Sequence, residues 1–331
     1  MKEYVIEKKH EGRRLDKWIQ GEVPALSIGL MQKYFRQKDI KINGKPAAKD
    51  AKLTAGDVVR LYIPDEYFVK PKKVDTLLAN FRYHLSIVHE DENILLIDKK
   101  PGIMVHPDDS EKVNTLITHV RAYLYQKGEY DSKAEGAFSP VPCNRIDRFT
   151  GGIVIFAKTE EAMRIMNRKI RDREIEKDYL CIIHGKMNPP HGMLEDYILK
   201  KEGRRKVLVL QKPEEGAQRA QTRYKTLRVR DNLSLVECEL LTGRTHQIRA
   251  QFADKGHPLL GDGQYGDYRE NERFGRDFQA LYAYKLVFTF KSDAGVLNYL
   301  RDKIFEVWDV PFVEQYFPWE EWDLSSRYLH L

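Results

Sequence analysis

The sequence of 331 residues has little cysteine and none of the short motifs that hold metals or nucleotides. Cys143, Cys181 and Cys238 are odd in number, lie far apart and include no Cys-x-x-Cys pair, so neither a disulfide framework nor a zinc cluster is indicated. We expect three buried, reduced thiols. The ten histidines show no paired metal spacing, and no Gly-x-Gly-x-x-Gly or phosphate-loop motif occurs. The sequence predicts chemistry that needs no metal and no cofactor.

Long apolar runs are also missing. No run approaches the roughly 18 residues of a membrane span, and the segment from Met1 to His10 is charged throughout. We therefore expect a cytoplasmic protein with no membrane partner. The apolar content of 42% is enough for a large core, and the length allows two domains.

Excess positive charge is absent from most of the chain. The net charge is +6, yet residues 1–73 contain 17 Lys and Arg against 10 Asp and Glu, and the remainder contains 39 against 40. This asymmetry indicates a polyanion-binding module in front of a nearly neutral domain. The alternative is a solvated basic surface that has no partner.

The first 66 residues are predicted to form a small α+β domain. A short helix begins near Arg13, Ser27 is positioned to cap a second helix, and Ile40 to Ile42 and Val58 to Ile63 read as strands. This order resembles the small RNA-binding fold named after ribosomal protein S-four, whose second helix and adjoining loop bind structured RNA. On that resemblance the expected phosphate contacts are Lys33, Arg36, Lys38 and Lys41.

Residues 67–84 lack clear periodicity and are predicted to be a linker. Residues 85–331 are predicted to form one catalytic domain in which strands dominate and helices lie between them. The pattern indicates a hairpin over 86–98, helices over 115–125 and 160–170, and strands near 179–183, 206–210, 222–230, 233–241 and 280–290.

The most informative stretch is 143–159, in which Asp147 stands between Arg145 and Arg148. Gly151 and Gly152 allow a tight turn, and the following apolar run predicts a central strand over 153–157. The acid is therefore expected at the mouth of a rigid strand. Taken alone, an acid that caps a turn and pairs with a neighbouring arginine is the more common explanation.

Two further stretches favour a functional site. Residues 99–107 read Lys-Lys-Pro-Gly-Ile-Met-Val-His-Pro, and residues 241–249 read Leu-Thr-Gly-Arg-Thr-His-Gln-Ile-Arg. Thr245 is predicted to cap a helix whose first turns contain His246, Gln247 and Arg249, so several donors would converge at one helix start.

Together these stretches resemble the RluA-type RNA pseudouridine synthases, from about Leu85 through Phe290. The resemblance implies an α+β catalytic domain with a large mixed, mainly antiparallel sheet, no cofactor, and isomerisation of uridine to pseudouridine in RNA. The S-four-like amino terminus extends the resemblance toward the branch that modifies large-subunit ribosomal RNA. The chain departs from the family pattern at Lys100, Asn144 and Gly151, where the family usually has proline, histidine and serine.

The resemblance also implies residue roles. Asp147 is the expected catalytic carboxylate and Arg249 its ion-pair partner, with Arg244 as the rival for that place. Tyr179 matches the tyrosine that stacks on the target uracil, and Arg145 matches the residue that inserts where the base was. Further RNA contacts in this domain are expected from Arg148, Lys177, Arg244 and His246.

Other interpretations remain open at this point. The chain could be a non-catalytic RNA-binding or ribosome-assembly protein that keeps the fold, or its substrate could be transfer RNA. A hydrolase that attacks a glycosidic carbon also uses a carboxylate, but glycosidases generally pair two, and the motifs offer no convincing second acid. RNA is the expected partner, and a monomer is the default.

Overall fold

The computed structural model describes residues 1–68, 74–276 and 278–318. It divides into two compact units, Met1–Val74 and Asp75–Leu331. Among the described residues, no helix has the length and apolar character needed to cross a membrane. Each unit has a hydrophobic core of its own.

The first unit is an α+β fold with a four-stranded sheet in the order β1-β4-β2-β3. Leu15 and Ile19 from the first helix pack with Ile40 and Val59 of the sheet in its core. The hydroxyl of Ser27 accepts a hydrogen bond from the backbone N–H of Leu30, which confirms the predicted helix cap. The elements are β1 Lys2–Val5, α1 Leu15–Glu22, α2 Ile28–Arg36, β2 Ile40–Ile42, β3 Lys45–Pro46 and β4 Val58–Leu61.

The second unit contains the other elements of the described chain. They are α3 Thr76–Asn80, β5 Ile87–Glu90, β6 Ile94–Lys99, α4 Leu116–Lys127, β7 Val141–Pro142, β8 Gly151–Ala157, α5 Glu160–Arg171, β9 Ile175–His184, β10 His191–Leu199, β11 Leu208–Leu210, β12 Gln218–Arg230, β13 Leu233–Leu240, α6 Gln247–Asp254, α7 Tyr268–Arg273, β14 Leu281–Phe288, β15 Ile304–Glu306 and α8 Pro311–Tyr316. The fold class predicted from the sequence is confirmed.

The predicted linker over 67–84 is wrong in its second half. Asp75 caps helix α3 by accepting from the N–H of Leu78, and the Leu78 side chain is buried. Gln126 of α4 donates to the carbonyls of Leu78 and Phe81. The buried leucine and these amide contacts attach the segment to the second unit. A helix of only five residues is too short to show a periodic pattern of apolar residues in the sequence. Residues 69–73 of the predicted linker lie outside the described residues.

Eleven strands form the sheet of the second unit. The main order is β11-β10-β12-β13-β9-β14-β8-β6-β5, with β15 beside β14 and β7 beside β8. Strands β14 and β8 pair in parallel, and within the described residues every other pair in this sheet is antiparallel. The sheet is therefore mixed and mainly antiparallel, as the resemblance implies.

The middle of the sheet is buried on both faces. On β6, Leu95 and Ile97 point into a core that includes α4 and α6, while Ile94 and Leu96 point into a second core that includes α5. All seven residues of β8 are buried, which confirms the predicted central strand. A strand fixed on both faces gives the preceding loop, which contains Asp147, a rigid base.

Sequence patterns missed one long strand and shortened others. Strand β10 follows no strict alternation of apolar and polar residues, because Asp196 is buried in it beside Leu194 and Ile198. In the aromatic-rich tail that follows Phe290, Phe312 and Val313 of α8 are buried beneath the sheet. The last part of that tail, 319–331, lies outside the described residues.

The turn before β8 requires both glycines. A Cβ added at Gly152, whose φ is +114°, would lie 2.2 Å from the carbonyl oxygen of Ala283. A Cβ added at Gly151 would lie 2.3 Å from a ring carbon of Tyr282, which is directly opposite in the parallel pair. The chain has glycine where the family usually has serine because the Tyr282 ring occupies that space.

We expect Gly151→Ser to lower the free energy of unfolding by about 1–3 kcal/mol through overpacking. Adding Tyr282→Val should relieve the clash, so that the double variant loses less stability than the two single losses added together. Urea unfolding of the three variants measures this. Gly263→Ser, where an added Cβ meets no atom within 4 Å, is the control. If the stability losses of the two single variants simply add in the double variant, the Tyr282 ring is not the reason that position 151 needs glycine.

Candidate active site

Asp147 lies in a tight turn that ends at the first residue of β8. The backbone N–H of Thr150 donates to the Asp147 carbonyl at 3.1 Å, which closes the turn. The Asp147 side chain keeps 25% of its surface exposed. The acid is therefore held by buried backbone on one side and is open to a ligand on the other.

Arg249 of α6 lies between two carboxylates. Its Nη1 donates to Asp147 Oδ2 at 2.8 Å, and its Nε and Nη2 donate to the two oxygens of Asp262 at 2.7 and 3.0 Å. Although burial acts against the charge, the two acids raise the pKa of Arg249, so the guanidinium is charged at any ordinary pH. Arg249 thus occupies the expected ion-pair position, and Arg244 instead donates to the carbonyl of Arg219.

Sequence reasoning assigned no role to Asp262. Its side chain is fully buried, and Oδ1 also accepts from the N–H groups of Gln264 and Tyr265. Gln264 accepts from Arg249 Nη2 at 3.0 Å, and the Tyr265 ring lies 5.3 Å from the guanidinium carbon. A short loop therefore holds the inner side of Arg249 on four contacts.

The predicted cap at Thr245 is wrong. Helix α6 begins at Gln247, and its cap residue is His246, which adopts a left-handed backbone with φ of 55° and caps nothing with its side chain. That conformation turns the imidazole toward the acid: Nδ1 is 3.0 Å from the Tyr265 hydroxyl, and Nε2 is 3.7 Å from Asp147 Oδ2. Burial lowers the pKa of His246 despite the opposing charge of Asp147, so the ring is neutral near pH 7.

Sequence reasoning did not predict the structural role of Gln247, which is buried at the start of α6. Its Oε1 accepts from the Thr242 hydroxyl at 2.8 Å and from the Arg244 N–H at 3.0 Å, which ties the loop before α6 to the first residue of the helix. Its Nε2 donates to the Gln221 carbonyl and to the Thr222 hydroxyl. These buried bonds fix the start of α6 on β12, and they explain why a glutamine precedes the arginine in this motif.

A cavity of about 710 Å³ opens beside Asp147 and holds most of the predicted residues. Burial, with the nearby Asp147 charge, raises the pKa of Tyr179, so its phenol stays protonated. Lys177 is half-buried and donates to the Ile175 carbonyl, and burial lowers its pKa. The predicted residues that line this cavity are Arg145, Asp147, Lys177, Tyr179, Arg244, His246 and Arg249.

A second cavity, of about 390 Å³, shares Arg145, Asp147 and Arg249 with the first. It is lined in addition by residues 104–108, Phe149 and Arg148. Arg148 Nε donates to the carbonyl of Gly102 at 3.0 Å, so its guanidinium is fixed at this opening. The two cavities meet at the acid.

Lys99 is buried beneath this junction with 1% of its surface exposed. Its ammonium donates to the carbonyls of Lys100, Ile103 and Arg148. Burial lowers the pKa of Lys99 to about 7, while the charges of Asp147 and Asp98 oppose the shift. The side chain ties the 99–103 turn to the loop that contains Asp147.

The other two departures from the family pattern also have partners. Asn144 Oδ1 accepts from the N–H of Ile155 at 2.8 Å. Lys100 Nζ pairs with Asp98 at 2.7 Å, and Asp98 accepts from the hydroxyl of Tyr282 at 2.5 Å. Lys100 thus joins a network with the buried Asp98 and Tyr282 at the position where the family usually has proline.

Two cysteines that are distant in sequence meet in the sheet. The sulfurs of Cys181 and Cys238 lie 3.7 Å apart on neighbouring strands, and both are buried free thiols. Cys143 is only half-buried, so the expectation of three fully buried thiols is wrong for it, although burial raises its pKa to about 12. Over the ranges that the structure describes, no group of three His, Cys, Asp or Glu side chains is placed to hold a metal ion.

Comparison with known proteins assigns the family. Residues 93–254 match the family described as RNA pseudouridylate synthase. An uncharacterized RNA pseudouridine synthase of Aquifex aeolicus is 33% identical over 267 residues, which cover 79% of this chain and 80% of that protein. The chain belongs to the RNA pseudouridine synthase family. It is an isomerase of this family, and its motifs are those of the RluA type.

Other members of the RNA pseudouridine synthase family agree with this assignment. A ribosomal large subunit pseudouridine synthase C of Vibrio vulnificus is 28% identical over 268 residues, covering 80% of each chain. The human RNA pseudouridylate synthase domain containing 4 has a TM-score of 0.52 at 20% identity, covering 67% of this chain and 87% of that one. The structural likeness shows a shared fold.

The remaining predicted contacts of this RNA pseudouridine synthase lie in the first unit. Lys33, Arg36 and Lys38 are exposed at the end of α2 and in the turn after it. Lys41 is half-buried, with its ammonium 5.0 Å from the centre of the Tyr62 ring. Their role in RNA binding stays a prediction.

We expect Asp262→Asn to reduce pseudouridine formation about 100-fold, because Arg249 would lose the charge that orients it toward Asp147. The thermal midpoint of unfolding should also fall, since a buried guanidinium loses one of its two anions. Asp267→Asn is the matched control: Asp267 caps α7, and asparagine caps equally well. Equal activity of Asp262→Asn and wild type would show that Asp262 does not position Arg249.

Proposed function

We propose that this enzyme isomerises uridine to pseudouridine in large-subunit ribosomal RNA, with Asp147 as its catalytic carboxylate. The observation that carries this proposal is the Asp147–Arg249 ion pair at the junction of two cavities. A neighbouring guanidinium favours the charged form of a carboxylate. Asp147 is thereby available as a nucleophile or base toward a nucleotide in the cavity.

The reaction needs the uracil to be reached outside its stack. The bond between uracil N1 and the ribose breaks, a bond from C5 to the ribose forms, the proton on C5 is lost and N1 gains a proton, so no redox partner or group donor is required. In our proposal Tyr179 stacks on the extruded base and the exposed Arg145 enters the space that the base vacates. Both residues line the same cavity as Asp147, which supports this division of roles.

The carboxylates also bear on the hydrolase alternative. Inverting and retaining glycosidases use a second acid or carboxylate that faces the sugar. The other carboxylate beside Arg249 is that of Asp262, but it is fully buried and accepts hydrogen bonds from Arg249 on both oxygens. It has no free oxygen to activate a water molecule. This arrangement favours isomerisation over hydrolysis.

Two observations support large-subunit ribosomal RNA over transfer RNA. Relatives from Vibrio vulnificus and Haemophilus ducreyi, each 28% identical, are named ribosomal large subunit pseudouridine synthase C. The first unit, which we interpret as an S-four-like RNA-binding domain, exposes basic residues on and after its second helix. We propose that it binds structured RNA through Lys33, Arg36, Lys38 and Lys41, chiefly at phosphates.

Asp147→Asn should abolish tritium release from ribosomal RNA labelled at C5 of its uridines and leave RNA affinity nearly unchanged. The amide keeps the shape of the side chain but is not a nucleophile or a base of comparable strength. The assay runs wild type, Asp147→Asn and the Asp267→Asn control on unmodified large-subunit RNA and on transfer RNA. Near-normal tritium release by Asp147→Asn would contradict the assignment of Asp147 as the catalytic carboxylate. Release from transfer RNA alone would contradict ribosomal RNA as the substrate.

Replacing the four basic residues of the first unit by glutamine should weaken RNA binding and flatten its salt dependence. Four lost phosphate contacts predict a fall of about 3 in the slope of log affinity against log salt. Filter binding at several salt concentrations measures the slope. Glutamine at Lys2 and Lys9, also in this unit but before α1, provides the control for charge alone. A similar loss in both variants would contradict a localised site.

A further inference from the structure

Phe149 exposes a large apolar ring beside the catalytic acid. It follows Asp147 by two residues, and 41% of its surface is accessible. No other phenylalanine in the described part of the chain is as exposed. Core packing therefore does not account for an aromatic residue here, whereas exposed apolar surface in a functional cleft is typical of a binding site.

The ring belongs to a series of four side chains. Phe278 stacks on Phe149 with ring centres 5.5 Å apart and planes 19° from parallel. The guanidinium carbon of Arg148 is 5.3 Å from the centre of the Phe149 ring, and that of Arg276 is 5.3 Å from the centre of the Phe278 ring. The two rings are thus supported from within the protein and flanked by cations.

Two members of this series, Phe149 and Arg148, line the smaller cavity together with Asp147 and Arg145. Among the described residues, no carboxylate forms an ion pair with Arg145 or Arg148, so both cations are available to an external anion. Asp108, also in the lining, accepts from Ser110 and the Glu111 N–H in its own turn. The opening combines an aromatic surface with positive charge.

We propose that Arg148 and Phe149 form a stacking platform for an unpaired base next to the target uridine. The inference rests on the proposed function, since it requires RNA as the substrate. When a uridine is extruded, its neighbour in the strand loses a stacking partner. A ring or a guanidinium plane replaces that partner for any base, and the cations hold the adjoining phosphate. Phe278 and Arg276 position the platform.

Photocrosslinking tests the contact without requiring turnover. The probe is a transcript of large-subunit ribosomal RNA, and short-wavelength ultraviolet light bonds any of its bases to an aromatic ring stacked against it. The full-length enzyme is illuminated with this RNA and its peptides are mapped by mass spectrometry. We expect crosslinks at Phe149 in addition to those at Tyr179. Crosslinks at Tyr179 with none at Phe149 would overturn the platform while supporting RNA as the substrate.

Kinetics provide a second test. Phe149→Leu should lower kcat/KM about 10-fold, mainly through KM, because stacking on a neighbouring base is uniform binding energy. Phe149→Tyr should keep near wild-type values, because it keeps a ring. The matched control is Tyr268→Leu, which removes an aromatic residue that is 73% exposed on α7. Circular dichroism checks that each variant is folded.

The outcomes separate the two proposals. If wild type and Phe149→Leu form pseudouridine with equal kcat/KM, the platform is wrong and the proposed function stands. If wild type releases no tritium from ribosomal or transfer RNA, the proposed function fails, and a crosslink at Phe149 would still show a base stacked on it. A loss in Phe149→Leu that Phe149→Tyr restores supports the platform.

Discussion

A single buried guanidinium connects the parts of this active site. Arg249 comes from the start of α6, Asp262 from the loop after that helix, and Asp147 from the turn before β8. Burying a cation is costly unless its charge and its hydrogen bonds are matched, and two carboxylates together match it. The carboxylate of Asp262 is buried, whereas that of Asp147 is partly exposed to solvent. The arrangement therefore leaves one carboxylate, that of Asp147, paired with Arg249 and partly open to solvent, as its proposed role as nucleophile or base requires.

The sequence was sufficient for much of this fold and for the identity of its principal residues. Apolar runs located β6, β8 and β13, because strands buried on one or both faces carry a short-range signal. The resemblance carried by motifs far apart in the chain implied roles for Asp147, Tyr179 and Arg249, and the structure brings these three to one cavity. What could not be predicted depends on tertiary contact. A buried aspartate such as Asp262 reads like a surface one, and the left-handed backbone of His246 has no local signature that separates it from a helix cap.

The departures from the family pattern are local and mutually consistent. Gly151 makes room for the ring of Tyr282, the hydroxyl of Tyr282 bonds to Asp98, and Asp98 pairs with Lys100. Serine and proline, which the family usually has at the first and last of these positions, would remove the space at one end and the charge at the other. The network begins at Gly151, directly after the turn that holds Asp147, so the departures fit one another beside the candidate site.

The ammonium of Lys99 restrains the backbone next to Asp147. It binds carbonyl oxygens on both sides of the active-site floor, from the 99–103 turn and from Arg148. The N–H of Gly102 and the side chain of Arg148 add a reciprocal pair of bonds between the same two segments. Because these bonds tie Arg148, the neighbour of Asp147, to the 99–103 turn, the proposed chemistry depends on the nucleotide moving to Asp147 rather than on the acid moving. Bringing the reacting atoms together then requires the nucleic acid to bend, unpair and unstack, and an RNA segment that is already loosely folded is the easier substrate.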